Sequence, residues 1–484
     1  MSTGVDTPRP SSRDGLDTFW LILLLVCTAS ICIRPAAAVD ADLWWHVRAG
    51  YWISTHRAIP WQDVLVYGAN RPWLDYSWLF DVLVSWLFTV LGPLGILAFT
   101  GGMVILAVSS IFDLVSAFLS QGYALLVAAL YVLAIAPSAT PRPWLFSILF
   151  TTLELKLLLQ NGKNKRSHLF WLVPLFALWA NLHIQFVYGL AVLTLFSASV
   201  SARKRVPGIA AMAADIGEWQ SWSILAASFV ATLANPYGWH LYATVFSYAF
   251  QETALSAITE MAALSFRHST DWAALSLFCF GLASIGWSRT KEPFLIALLG
   301  LGAWCGFRSG RDVWFMAAIA AVVGARCLAQ RTWPTTLPRI HRLIALTATL
   351  CIYGIQVRWG TVSTADLQRE TQRAFPVRAA EFIEQHRLSG PLYNPYDWGG
   401  YLLWRFPDRA VSIDGRAQIY GDSGLSVALS TDAGQPGWNK NPQLQKARTI
   451  LLERRCALTS ILRIDSSYKL VYEDELATVF VRQM

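Results

Sequence analysis

At 484 residues the chain is 55% hydrophobic and only 14% charged, with a mean hydropathy of +0.40. Soluble globular proteins carry about 25% charged residues, and so low a fraction fits helices that face lipid, where charges are costly. Lys and Arg outnumber Asp and Glu by 39 to 31, but no basic face interleaved with aromatics tracks a phosphate backbone, so nucleic acid is excluded as a partner.

The basic excess collects instead in short loops, at Lys163, Lys165, Arg166, Arg203, Lys204 and Arg205, as it does in the cytoplasmic loops of membrane proteins. The 23 tryptophans suit the membrane–water boundary. The seven cysteines form no CxxC pair and no disulfide framework.

In chain order, residues 1–15 read as a flexible cytoplasmic arm rich in Pro, Ser and Gly. The first apolar run, Phe19 to Ile33, precedes Arg34-Pro35-Ala36-Ala37-Ala38 and has the outline of a signal peptide. An uncleaved first span is the preferred reading, because the rest of the chain is itself apolar. Further runs lie near 78–92, 95–119, 122–137, 144–160, 168–181, 183–200, 222–235, 271–287, 293–307, 313–329 and 341–357. Several fall short of the ~20 residues a bilayer requires, and short helices at that depth are tolerated when buried in protein. The predicted architecture is a polytopic α-helical membrane domain over 16–358 with about 11–13 spans or re-entrant helices.

Basic loops place the N-terminus, 161–167 and 202–206 in the cytoplasm, together with Arg289/Lys291 and Arg326/Arg331. Loops 40–76 and 236–270 and everything after 358 then face outward. Twelve full crossings would return the C-terminus to the cytoplasm, so one run, placed within 78–160, must be re-entrant or interfacial.

The tail, 363–484, is polar and reads as a small soluble α/β domain outside the membrane. A helix is predicted over 376–387, strands over 391–393, 410–413 and 457–463, and a hairpin over 468–482.

The first outward loop is the densest stretch: DADLWWHVRAGYWI at 40–53, IPWQDV at 59–64 and RPWLDYSWLFDVLV at 71–84. If Asp42 opens a helix, His46 lies one turn away on the same side, while Trp45, Ala49, Trp52 and Ile53 form another stripe. One reading is an interfacial helix with Asp40 or Asp42 as its N-cap. The other is a site, favoured because an N-cap does not require two tryptophans, His46 and Arg48 beside it.

This loop resembles the first extracytoplasmic loop of GT-C-type integral membrane glycosyltransferases, in particular a bacterial branch with a D-x-D-L-W-W-H first loop. Other pieces agree: Arg142-Pro143, ANLH at 180–183, NPYG at 235–238, Arg311-Asp312, NPYDWGGY at 394–401 and IDGR at 413–416. The resemblance covers nearly the whole chain. It implies an enzyme of a prokaryotic cytoplasmic (inner) membrane, building cell-envelope glycan. Sugar would pass from a polyprenyl-phosphate donor to an acceptor hydroxyl on a glycan, lipid or protein, with inversion. It also implies a general base in the first loop, Asp42 with Asp40 in reserve, since a carboxylate near the boundary can take the acceptor's proton.

Substrate contacts are expected from His46, Arg48, Arg142, His183, Glu260, Arg308 and Arg311, the arginines holding the departing phosphate. A divalent cation, Mg²⁺ or Mn²⁺, would sit on Asp42 and His46. Blander readings stand beside these: Arg142 as a snorkelling cytoplasmic arginine, His183 as a packed core histidine, Glu260 as a helix-end charge, Arg308 and Arg311 as loop arginines. The 398–401 and 414–416 segments read as a structural corner rather than a sugar site. The rival class is a non-catalytic transporter or an assembly factor for surface polysaccharide.

Overall fold

The computed structural model describes residues 12–32, 39–66, 71–159, 168–205, 216–249, 253, 256, 258, 260–289, 291–329, 338–359 and 363–483. The Arg34–Ala38 segment, the 161–167 loop, the first eleven residues of the arm and Arg331 lie outside them. Among the described residues, four helices are long and apolar enough to cross a membrane: Trp78–Ser116, Gln121–Ser138, Phe186–Arg203 and Arg339–Val357. Leu16–Ser30, Leu172–Leu182 and Pro293–Arg308 are shorter apolar helices.

Helices α1 (Ser12–Cys32), α2 (Leu43–His56), α3 (Trp78–Ser116), α4 (Gln121–Ile135) and α5 (Trp144–Leu159) open the chain. The predicted runs 78–92 and 95–119 are two helical segments of α3 that meet at a break at Gly92, whose φ is +64°, ahead of Pro93. A proline lacks the amide proton and crowds the carbonyl four residues back, and glycine accepts the left-handed conformation that this break needs. Arg142, in the turn after α4, stands at the same end of the bundle as the first loop, paired with Asp40 and Asp42. Pro141 and Pro143 flank Arg142, and Pro143 stands immediately before α5, where a proline suits the start of a helix.

The Val313–Leu328 helix is buried on nearly every side, as expected of an apolar helix at the centre of a helical core. The region 236–270, read as a loop, contains the His240–Ala249 helix, and the next helix already begins at Ser269.

The tail forms a four-stranded sheet in the order β1-β2-β4-β3, with β1 Leu392–Tyr393, β2 Thr449–Glu453, β3 Tyr468–Glu473 and β4 Ala477–Arg482. The first pair is parallel and the others antiparallel. The predicted hairpin over 468–482 is present. Two predicted strands are not: 457–463 lies in the Ala457–Ile464 helix, and 410–413 contributes one bridge, Val411 to Leu392. Leu458, Ile461 and Leu462 follow helical spacing, and Leu458 and Leu462 are buried.

The tail shares a core with α2. Trp44, Trp45 and Ala49 pack with Phe375, Trp398, Tyr401 and Leu402, so Trp45 and Ala49 of the predicted stripe face the tail instead of lipid. Two glycines permit the close approach. A Cβ at Gly399 would stand 2.0 Å from the Ile413 carbonyl oxygen, and one at Gly415 would stand 1.9 Å from Asp42 Oδ1. The first of these is the corner predicted between 398–401 and 414–416.

Arg416 bolts the tail to the first loop. Its Nε donates to Asp414 Oδ1 at 2.8 Å, its Nη1 to Asp63 Oδ1 at 2.9 Å, and all three side chains are 0% exposed. Removing one partner of a buried ion pair strands the others in low dielectric. Arg416→Met should therefore destabilise the protein by ~3–5 kcal/mol, measured as a lowered unfolding midpoint in detergent, whereas exposed Arg369→Met should leave it unchanged.

Candidate functional site

Asp42 occupies the N-cap position of α2, yet its side chain makes no capping hydrogen bond. The carboxylate turns to Arg142 instead, with Nη1 2.8 Å from Asp42 Oδ2. Arg142 also donates from Nε to Asp40 Oδ2 at 2.8 Å and from Nη1 to Glu260 Oε1 at 2.7 Å. Arg311, in the short 3₁₀ turn Gly310–Asp312, pairs with the same Glu260 oxygen. That turn is tied to the Glu260 segment by Gly310 N–H donating to Ala262 O at 2.8 Å. Both guanidiniums lie over the Trp144 ring, at 4.8 and 5.5 Å, within the range of cation–π attraction.

These groups open onto a cavity of about 580 Å³ whose near wall holds Asp42, Arg142, Glu260 and Arg311. Its far wall comes from the tail: Tyr396, Asp397, Asp432 and Glu453. Asp42 is 16% exposed and reaches the cavity, while Asp40, at 6%, stands behind it. Asp40 Oδ1 accepts the Asp42 amide at 2.8 Å. A second cavity, of about 170 Å³ and mainly apolar, holds His183, Val187, Val245, Trp304 and Arg308. Arg311 lines both. His183 Nδ1 lies 2.7 Å from Ser147 Oγ.

Burial raises the Asp42 carboxyl above its ordinary range, with Arg142 pulling against it. Burial also works to raise Glu260, but Arg311 and Arg142 outweigh it and hold that group at about 2. One carboxylate is thereby made a stronger base and its neighbour a fixed anion.

Of the residues singled out from sequence, Asp40, Asp42, Arg142, Glu260 and Arg311 meet at one point, and His183 and Arg308 meet Arg311 from the other cavity. Arg48 does not join them; it lies near Asp408. His46 turns away from Asp42, its Nδ1 standing 2.6 Å from Asp81 Oδ1. Ser77 Oγ bridges Asp81 and Asp75, at 3.2 and 3.4 Å. Burial pushes His46 down to about 4 and keeps it neutral. The expected divalent cation on Asp42 and His46 does not fit: Arg142 engages the first and Asp81 the second. Among the described residues no group of three or more His, Cys, Asp or Glu could hold a metal ion.

Sequence reading missed Asp75, Asp81, Asp397, Asp432 and Glu453. Asp75 and Asp81 sit in the quoted 71–84 stretch and Asp397 in the NPYDWGGY stretch, but Asp432 and Glu453 carried no signal. The other motifs act as ties. The Tyr237 hydroxyl donates to Pro60 O at 2.8 Å and accepts the Asp75 amide at 2.9 Å, and Asn181 Oδ1 accepts from Trp78 Nε1 at 2.9 Å.

No family model matches the sequence, and no curated protein matches it. Solved structures do match in fold. The oligosaccharyltransferase of Archaeoglobus fulgidus, tethered with an acceptor peptide containing the NVT sequon, superposes with a TM-score of 0.53 at 13% identity, over 96% of this chain and 74% of that one. The same organism's archaeal oligosaccharyltransferase AglB, in complex with an inhibitory peptide and a dolichol-phosphate, gives 0.53 at 12% identity, over 90% and 69%. ArnT from Cupriavidus metallidurans bound to undecaprenyl phosphate gives 0.48 at 12% identity, over 96% and 98%. The likeness to the two oligosaccharyltransferase structures shows the fold, and at that level it agrees with the resemblance carried by the first-loop motifs.

A group whose folded value is depressed stabilises the protein above its unfolded value, and that stability is lost as pH falls through the folded one. Glu260, at about 2 against an ordinary 4.5, should add stability above about pH 4.5 that fades toward pH 2. In Glu260→Gln this part of the profile should be missing, read as a flatter unfolding midpoint between pH 5 and about 3. An unchanged profile would mean that the Glu260 pairs carry no net stability.

Proposed function

We propose that the chain is a multi-pass membrane glycosyltransferase that takes sugar from a polyprenyl-phosphate-linked donor and transfers it, with inversion, to an acceptor hydroxyl. The observation that carries this reading is the position of Arg311 between two unlike cavities. One is polar, walled by carboxylates and open to the tail, and suits a hydroxyl-bearing acceptor. The other has a mainly apolar surface with Arg308 at its edge and Asp312 held by Gln185 and Tyr188, and suits the first isoprene units of a lipid carrier whose phosphate would lie at Arg308 and Arg311. The dolichol-phosphate in the AglB complex and the acceptor peptide in the related structure support a donor and an acceptor of these two classes.

In this mechanism the ionised Asp42 accepts the proton of the acceptor hydroxyl as its oxygen attacks the anomeric carbon. The bond from that carbon to the carrier phosphate breaks on the opposite face, and the phosphate leaves with the electron pair. Charge builds on the departing oxygens, where preorganised guanidiniums are worth most. The products are a glycoside of inverted configuration, a carrier phosphate and a protonated Asp42. No step is routed through a metal. The basic loops put the opposite end of the bundle in the cytoplasm, so the reaction and the tail face outward from a prokaryotic inner membrane.

Asp42→Asn should lower turnover by ~10²–10⁴, the range of positioned general-base catalysis, with KM for the donor little changed. Asp40→Asn should cost less, because Asp40 acts through the placement of Asp42. The measurement is carrier-phosphate release in proteoliposomes supplied with a panel of polyprenyl-phosphate monosaccharides. Full turnover in Asp42→Asn would remove the general base, and no turnover by the wild-type protein on any donor would favour a non-catalytic assembly factor.

A further inference from the structure

The end of the bundle away from Asp42 holds another charged cavity, of about 480 Å³, between α1, the last turns of α3 and α5, and the start of the Arg339–Trp359 helix. Lys156 on its wall follows Arg142 by fourteen residues, roughly 20 Å along a helix at 1.5 Å per residue. Among the described residues, Lys156, Arg339 and Arg342 line it against a single carboxylate, Asp113. Lys156 and Arg342 share that carboxylate, and Arg339 stands close enough to act on Lys156 as a like charge. Three cations on one acid leave a surplus of two positive charges in a half-enclosed space.

A second, independent observation concerns hydrogen bonds. Among the described residues, Ser109 Oγ and Arg342 Nε are buried at this cavity with no hydrogen-bond partner. Buried donors without acceptors are costly, and here two of them face a site already short of negative charge. The missing group is therefore an anion with several acceptor oxygens. The remaining wall is apolar, formed by Leu21, Leu25 and Leu343, which no soluble anion would cover.

We propose that this cavity binds the phosphate of an acidic phospholipid, with an acyl chain along Leu21, Leu25 and Leu343. The proposal rests on the membrane embedding argued above, not on sugar transfer. In the sequence, Lys163, Lys165 and Arg166 follow directly after α5, and their charge orients this end toward the cytoplasm, where the leaflet is rich in anionic lipid. Such a lipid would neutralise the surplus charge, satisfy both orphan donors and fill the space between α1 and α3.

Full-length protein in nanodiscs of equal phosphatidylcholine and phosphatidylglycerol, released into native mass spectrometry, tests it. Wild type should retain one phosphatidylglycerol over phosphatidylcholine by about tenfold or more, as charge-assisted hydrogen bonds imply. Arg339→Ala/Arg342→Ala should lose that preference. Leu343→Trp, which keeps every charge but narrows the apolar wall, should lose it too and covers the case in which the first variant fails to fold. Equal retention of both lipids by wild type would overturn the proposal, as would a preference that survives either variant. If inorganic phosphate displaced the bound lipid and raised the unfolding midpoint as much as phosphatidylglycerol does, a soluble anion would be the occupant and the lipid assignment would fall. Carrier-phosphate release is a separate readout, so failure of the transferase reading leaves this result interpretable.

Discussion

Arg142 holds three chain segments together by charge. Asp40 and Asp42 reach it from the first loop and Glu260 from the region before the Ser269–Trp287 helix. Taking a guanidinium out of water carries a large desolvation cost, recovered only when its donors are matched by well-placed acceptors. Here three carboxylates supply them and the Trp144 face covers the flat side. With Arg311 included, the cluster has two positive and three negative groups, and the far wall of the cavity adds the carboxyls of Asp397, Asp432 and Glu453. A phosphate is repelled from such a wall, whereas a hydroxyl is a ready donor to it. The charge balance therefore separates the two substrates the proposed reaction needs: the acceptor beside Asp42, the anionic carrier beyond Arg311.

The tail completes this cavity. Gly415 lets its backbone pass against Asp42, and Arg416 anchors it to Asp63 in the first loop. Because the Trp44 and Trp45 side chains share a core with Trp398 and Tyr401, separating the tail from the first loop would expose large aromatic surfaces at ~25 cal/mol per Å². It would also leave the charges of Arg416, Asp63 and Asp414 without partners. The far wall of carboxylates is thus held at a fixed distance from the near wall.

Much of the candidate site was legible in the sequence, because its residues stand in dense, unusual strings. Asp42 stood in the dense first-loop string and Arg142 between two apolar runs, whereas Glu260 and Arg311 were expected from the resemblance. What composition could not supply was which charges meet. Arg142 could have been a snorkelling arginine on sequence alone, and only its pairing with Asp40, Asp42 and Glu260 places its turn beside the first loop. Arg416 reaches Asp63 across 353 positions, and no local pattern encodes such a pairing. His46 was assigned to the Asp42 side from helical spacing alone. The spacing was right, but the ring rotates toward Asp81 on a neighbouring helix. The 457–463 stretch failed for a simpler reason: its apolar residues recur at three and four, and the β-branched Thr459 and Ile461 masked that period.

The layer behind Asp42 bears on how strong a base it can be. Had His46 been protonated, an imidazolium within reach of Asp42 would favour the carboxylate and weaken it as a proton acceptor. Burial keeps His46 neutral at physiological pH, and its Nδ1 is engaged by Asp81. The cationic influence on Asp42 is therefore left chiefly to Arg142, which is shared with two other carboxylates. A guanidinium divided among three acids depresses each less than it would a single partner, and burial then prevails at Asp42. At Glu260 a second guanidinium, Arg311, tips the same contest the other way. Two carboxylates on one arginine thus diverge in basicity because only one of them has a cation of its own.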